Sequence, residues 1–131
     1  MVSNDRKFRN ATFLKSFQVA LSGIITVFKE EKNFRFHIVS TVVVVSLGLF
    51  LSLSNVEWLF VLSAIFGVLT FEMINSAIER VVDLVTNEYD PLAKVAKDMA
   101  SGAVLLFAMY SVLVGIIIFV PKIWSLLIFH F

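Results

Sequence analysis

The sequence contains no cysteine. That excludes disulfide staples, thiol nucleophiles and cysteine-ligated zinc. Charge is also scarce: 16% of the residues are Asp, Glu, Lys or Arg, where a soluble domain carries about a quarter. The net charge of +1 provides no basic field for nucleic acid. Five scattered glycines cannot build a glycine-rich phosphate cradle, and neither G-x-x-x-x-G-K-[ST] nor G-x-G-x-x-G occurs. The protein-kinase motifs H-R-D and D-F-G are missing too. Internal repeats and low-complexity runs are absent. The opening MVSNDRKFRNATFLK is polar and mixed in charge, so it is not expected to act as a signal peptide.

What the chain does have is apolar residues, 59% of the total, with a mean hydropathy of +0.91. At 131 residues this composition predicts one membrane domain. Residues 36–53 run eighteen positions without a formal charge, 58–71 fourteen, and 99–120 twenty-two. A spanning helix needs about 20 such residues. The valines at 42–45 favour a strand, but an unpaired strand cannot cross lipid. Ahead of these runs, Phe13, Phe17, Leu21, Ile24 and Phe28 recur at spacings of four, four, three and four. That stripe predicts an amphipathic helix in the interface plane or packed on other protein.

The expectation is therefore an all-α membrane protein. A surface helix covers residues 11–30, and spans cover 36–53, 58–86 and 98–120. SNVE, 54–57, is expected as a polar turn. NEYDPLAK, 87–94, should stop one helix, with Pro91 opening the next. Pro121 should close the last span, leaving the tail KIWSLLIFHF at the interface. Ten of the eleven basic residues fall before the first span or between the second and third. By the positive-inside rule those segments face the cytoplasm, and the C-terminus lies outside.

On that cytoplasmic side Glu72, Asn75, Glu79 and Asp83 follow one another at spacings of three, four and four. They share one helix face and form a ladder about 16 Å long. An acid inside the membrane boundary costs a few kcal/mol and usually faces protein or water. Oxygen ligands in this pattern suit Mg²⁺, which takes one or two carboxylates and completes its shell with phosphate and water. Glu30 and Glu31 add carboxylates on the same side, and Lys97 beside Asp98 supplies a point charge for phosphate. The set fits phosphoryl transfer to a membrane alcohol. It also fits a polar seam that glues helices together, or a cation path. A path, however, would need polar residues along the whole crossing, and the first and third spans have almost none.

The run Glu72-x-x-Asn75-x-Ala77-Ile78-Glu79-x-x-Val82-Asp83 resembles the signature of the prokaryotic diacylglycerol kinase/undecaprenol kinase family. So do Glu88-Tyr89, Pro91-Leu92-Ala93-Lys94, Ala96-Lys97-Asp98 and FKEEKNFRFH, 28–37, so the likeness covers most of the chain. The resemblance implies a homotrimeric lipid kinase of the bacterial inner (cytoplasmic) membrane. It would use ATP and Mg²⁺, with active sites shared between neighbouring subunits. It implies Glu72 as general base and Glu31 and Glu79 as metal ligands. Asn75, Asp83, Lys97 and Asp98 would serve the nucleotide site, with looser contributions from Arg6 or Arg9 and Gln18. Glu72 is the deepest acid of the ladder, which suits it to accept a proton. The PLAK form of the loop resembles undecaprenol kinases of Gram-positive-type bacteria, so undecaprenol is expected as substrate, with diacylglycerol the alternative.

Three positions depart from the family pattern: His37, Arg80 and Asp90. They are expected to affect nucleotide contacts or surface packing. Among the remaining polar residues, Glu30 reads as structural and Lys94 as a lipid-headgroup contact. His37 and His130 read as interfacial residues. Trp58 and Trp124 read as outer anchors, and the small residues at 100–103 as a place where helices approach closely.

Overall fold

The structure, a computed structural model, describes residues 13–129 and is helical throughout apart from its connections. Helix α1 spans Phe13–Glu30, α2 Lys32–Phe50, α3 Asn55–Val85 and α4 Pro91–Phe129. Helices α2, α3 and α4 are each long and apolar enough to cross a membrane. Arg6, Arg9 and His130 lie outside the described residues.

Helix α3 is the centre, and α4 lies against most of its length. Ser63 meets Tyr110, Ala64 meets Ser111, Asn75 meets Ser101 and Asp83 meets Lys97, so the two run antiparallel. Helix α2 packs antiparallel on another side of α3, and α1 touches the bundle only lightly. A hydrophobic core gathers Leu53, Val61, Ala64, Val114, Ile118 and Phe119. Trp58 packs against it, above Gly48, where an added Cβ would stand 2.9 Å from the indole. Trp58 is thus part of the core, while Trp124 is 66% exposed.

Helix α1 turns its stripe outward: Phe17, Leu21, Ile24 and Phe28 are all exposed, and Val27 is buried. No other part of the described chain covers that stripe, the arrangement an interfacial helix requires.

Two expectations need correction. SNVE is no simple turn. Ser54 caps α3, accepting from Glu57 N at 3.4 Å, while Glu57 Oε2 accepts from Ser54 N at 2.7 Å. This reciprocal pair starts the helix at Asn55. Pro121 does not end α4, which continues to Phe129. A proline removes one backbone donor, and within lipid the neighbouring turns have no competing water to unwind them. Lys122 also holds that turn to the start of α3, 3.2 Å from Glu57. The small residues 100–103 do meet α3, with Ser101 Oγ 3.4 Å from Asn75 Oδ1. Ala100 is buried, but Gly102 faces open space. At Gly67 the helices lie so close that any Cβ would overlap the Phe107 ring.

Candidate active site

The ladder on α3 rises out of the protein step by step. Glu72 is buried at 4% exposure, Asn75 and Glu79 are half-buried, and Asp83 is exposed. Ser76, one turn from Glu72, is buried at 2%. Successive rungs are linked to one another or to neighbouring helices. Asn75 donates from Nδ2 to Glu79 Oε1 at 2.8 Å, and its Oδ1 accepts from Ser101 Oγ on α4 at 3.4 Å. Lys97 Nζ on α4 donates to Asp83 at 2.6 Å. Lys94 pairs with Asp98 one turn along α4 at 2.5 Å.

The acids at the α1–α2 break reach α3 through Arg80. Its Nη2 stands 2.8 Å from Glu30 and 3.3 Å from Glu31. Arg80 follows Glu79 directly, so the bridge places Glu30 and Glu31 beside the middle of the ladder. Arg35 Nη1 donates to the carbonyls of Phe28 and Lys29 at 3.2 and 2.7 Å, closing the end of α1 over the same break. Gln18 is exposed on α1 and makes none of these contacts.

The three departures from the family pattern now have local roles. Arg80 clamps two acids. Asp90 caps α4, with Oδ1 accepting from Leu92 N at 2.7 Å and Ala93 N at 3.0 Å, and Pro91 follows in the first turn. His37 is not merely interfacial. Its Nε2 lies 3.4 Å from Oε1 of the buried Glu72. Sequence reasoning missed that pairing, because it joins residues of different helices whose registers no periodicity reveals.

Between the end of α3 and the start of α4 lies a polar cleft of about 400 Å³. Asp83, Glu88, Asp90, Lys94, Lys97 and Asp98 line it, with Tyr89 beside them. Its charges of both signs belong largely to residues singled out from sequence. Tyr89, 81% exposed, offers a ring face that could stack on a base.

Among the described residues, no three acids or histidines converge as a self-sufficient metal cage. Glu31, held by Arg80, and Glu79, held by Asn75, would offer one carboxylate each and leave the rest of a coordination shell to other ligands. That fits Mg²⁺, which characteristically takes few carboxylates and shares itself with phosphates.

Known proteins are similar in sequence to this chain. The sequence pattern of the prokaryotic diacylglycerol kinase family matches residues 18–119. An undecaprenol kinase of Bacillus subtilis is 42% identical over 122 residues, covering 93% of this chain and 99% of that one. Diacylglycerol kinases of Pseudomonas aeruginosa and Escherichia coli are 36% and 30% identical over 100 and 112 residues. The first alignment covers 73% of this chain and 81% of the relative, the second 86% and 88%. The matched stretch contains every rung of the ladder, the Glu30–Glu31 break and Lys97. With three helices long enough to cross a membrane and a buried carboxylate at the head of an acidic ladder, this chain belongs to the prokaryotic diacylglycerol kinase family of lipid kinases.

Proposed function

We propose that the protein transfers the γ-phosphate of ATP to the hydroxyl of undecaprenol, giving undecaprenyl phosphate and ADP. The observation that carries the reading is the gradient of the ladder. It leads from a buried carboxylate next to the apolar run 58–71 to exposed, lysine-paired charge at the polar cleft. A lipid alcohol and a soluble nucleotide can meet along such a line without either leaving its own solvent. The Bacillus subtilis relative, matched over nearly its whole length, supports undecaprenol. The relatives named diacylglycerol kinases support diacylglycerol as the second reading.

In this mechanism Glu72 takes the proton of the lipid hydroxyl, so the O–H bond breaks as the oxygen attacks the γ-phosphorus. The new P–O bond forms, the bond to the bridging oxygen breaks, and its electron pair leaves on ADP. Lys97 steadies phosphate, with Asp83 and Asp98 completing the nucleotide end. Asn75 holds Glu79 through its amide. Glu31 and Glu79 are the residues that would hold Mg²⁺, which when bound neutralises phosphate charge. Most of the catalysis is positioning and electrostatics, as phosphoryl transfer generally requires.

The assembly we propose is a homotrimer with active sites shared between subunits. Leu84 and Val85 flank Asp83 and are each more than four-fifths exposed, an apolar flank suited to a neighbouring subunit. The membrane is the bacterial cytoplasmic membrane, with the ladder's open end facing the cytoplasm. The distribution of basic residues supports that orientation.

The test is transfer from labelled ATP with Mg²⁺ in lipid, with undecaprenol and diacylglycerol offered separately. Wild-type protein should phosphorylate undecaprenol, and Glu72→Gln should lower kcat by about 100-fold or more. Transfer to diacylglycerol alone would replace the substrate and keep the mechanism.

A further inference from the structure

A groove between α2, α3 and α4 is lined at one point by His37, which faces Glu72 of the ladder. It encloses about 160 Å³ and is lined mainly by apolar side chains, among them Val44, Val61, Val68 and Phe119. His37 lies at its polar side with Ser40 and Thr41. The imidazole faces Glu72, with Nε2 3.4 Å from Oε1, and the two side chains are 22% and 6% exposed. Phe36 packs edge-on against the imidazole, ring centres 5.6 Å apart at 73°. Among the described residues, His37 is the one cationic or imidazole side chain within ion-pair reach of Glu72.

A buried carboxylate needs a polar partner. A base also needs a fixed direction, and the terminal torsion of a glutamate is broad and poorly self-defined. One donor on one oxygen removes that freedom. Resting on the kinase reading above, we propose that His37 is a positioning residue for Glu72. Its Nε2–H holds Oε1, so that Oε2 is presented to the lipid hydroxyl. The imidazole keeps its proton throughout, and the hydroxyl proton passes to Oε2 alone. Glutamine can reach the same oxygen with an N–H, whereas phenylalanine fills the space without one.

The experiment compares wild type, His37→Gln and His37→Phe in lipid. It reads kcat and KM for both substrates, together with the rate at which an apolar carbodiimide labels Glu72, followed by mass spectrometry. His37→Phe should lose about 10- to 100-fold in kcat, the scale of a misplaced catalytic group. KM for ATP should stay within about twofold, since the nucleotide end of the ladder is untouched. His37→Gln should recover most of kcat, and the labelling rate at Glu72 should change in His37→Phe but not in His37→Gln. Wild-type kcat in a folded His37→Phe overturns the proposal and leaves the kinase reading standing. Equal losses in both variants, with unchanged labelling, overturn it as well. A folded wild type that phosphorylates neither lipid overturns the kinase reading and this role together.

Discussion

From Asn55 to Val68, α3 buries Val61, Ala64 and Val68. From Glu72 to Asp83 the same helix buries Glu72 and Ser76 and then surfaces. The N-terminal half, outer in the proposed orientation, is fastened at every level. Its first turn has a capping box, Glu57 reaches Lys122, and Gly67 admits the Phe107 ring. Phe107 in turn stacks against Phe71 and Tyr110 at 5.1 and 5.3 Å. The inner half is held by polar links, Asn75 to Ser101, Arg80 to Glu30 and Glu31, and Lys97 to Asp83. Exposed links of this kind add little stability. Continuity of one helix therefore lets a rigid end aim a loosely packed end. Substitutions should separate the two, changing stability at one end and chemistry at the other.

The largest stability effect belongs to the Gly67–Phe107 contact. Gly67→Ala forces the Phe107 ring away from α3 and disturbs its stacking on Phe71 and Tyr110. Overpacking of a tight contact costs about 1–3 kcal/mol. We expect that loss in an unfolding titration in detergent micelles, with kcat per folded molecule within about twofold of wild type. A large fall in kcat at unchanged stability would show that the two halves are not separable.

A smaller effect follows at the cap. Ser54→Ala removes the acceptor for Glu57 N and breaks the reciprocal pair. Loss of a serine cap costs about 1 kcal/mol. Early hydrogen exchange should appear in the first turn of α3, and phosphoryl transfer should be unchanged. First-turn exchange no faster than in wild type would show that the capping box does not fasten that end of α3.

The sequence was most informative where one helix suffices. The ladder needs only the 3.6-residue repeat of α3, and the helix break at 87–90 needs only its turn residues. The apolar runs likewise announced α2, α3 and α4, although α4 runs on past Pro121. What escaped depends on how two helices register. Nothing near His37 in sequence indicates Glu72, and nothing near Gly67 indicates Phe107. The capping box is a different case. S-x-x-E at 54–57 is a readable signal, but short polar residues between two apolar runs look equally like a loop.

The smallest predicted effect tests the inner half's polar links. Arg80 stands 3.3 Å from Glu31, one of the two carboxylates proposed for Mg²⁺, and also binds Glu30 at 2.8 Å. A guanidinium there occupies an oxygen that a metal would use, so metal and arginine compete for Glu31. All three side chains are at least 31% exposed. A solvated pair of this kind is worth about 0–1 kcal/mol, which limits the competition to about fivefold. Arg80→Ala should therefore lower the Mg²⁺ concentration for half-maximal transfer by about two- to fivefold, with stability nearly unchanged. A Mg²⁺ requirement that rises instead would mean that Arg80 holds Glu31 in place for the metal. The polar links would then do at the inner end what packing does at the outer one, and the contrast along α3 would be one of materials rather than of rigidity.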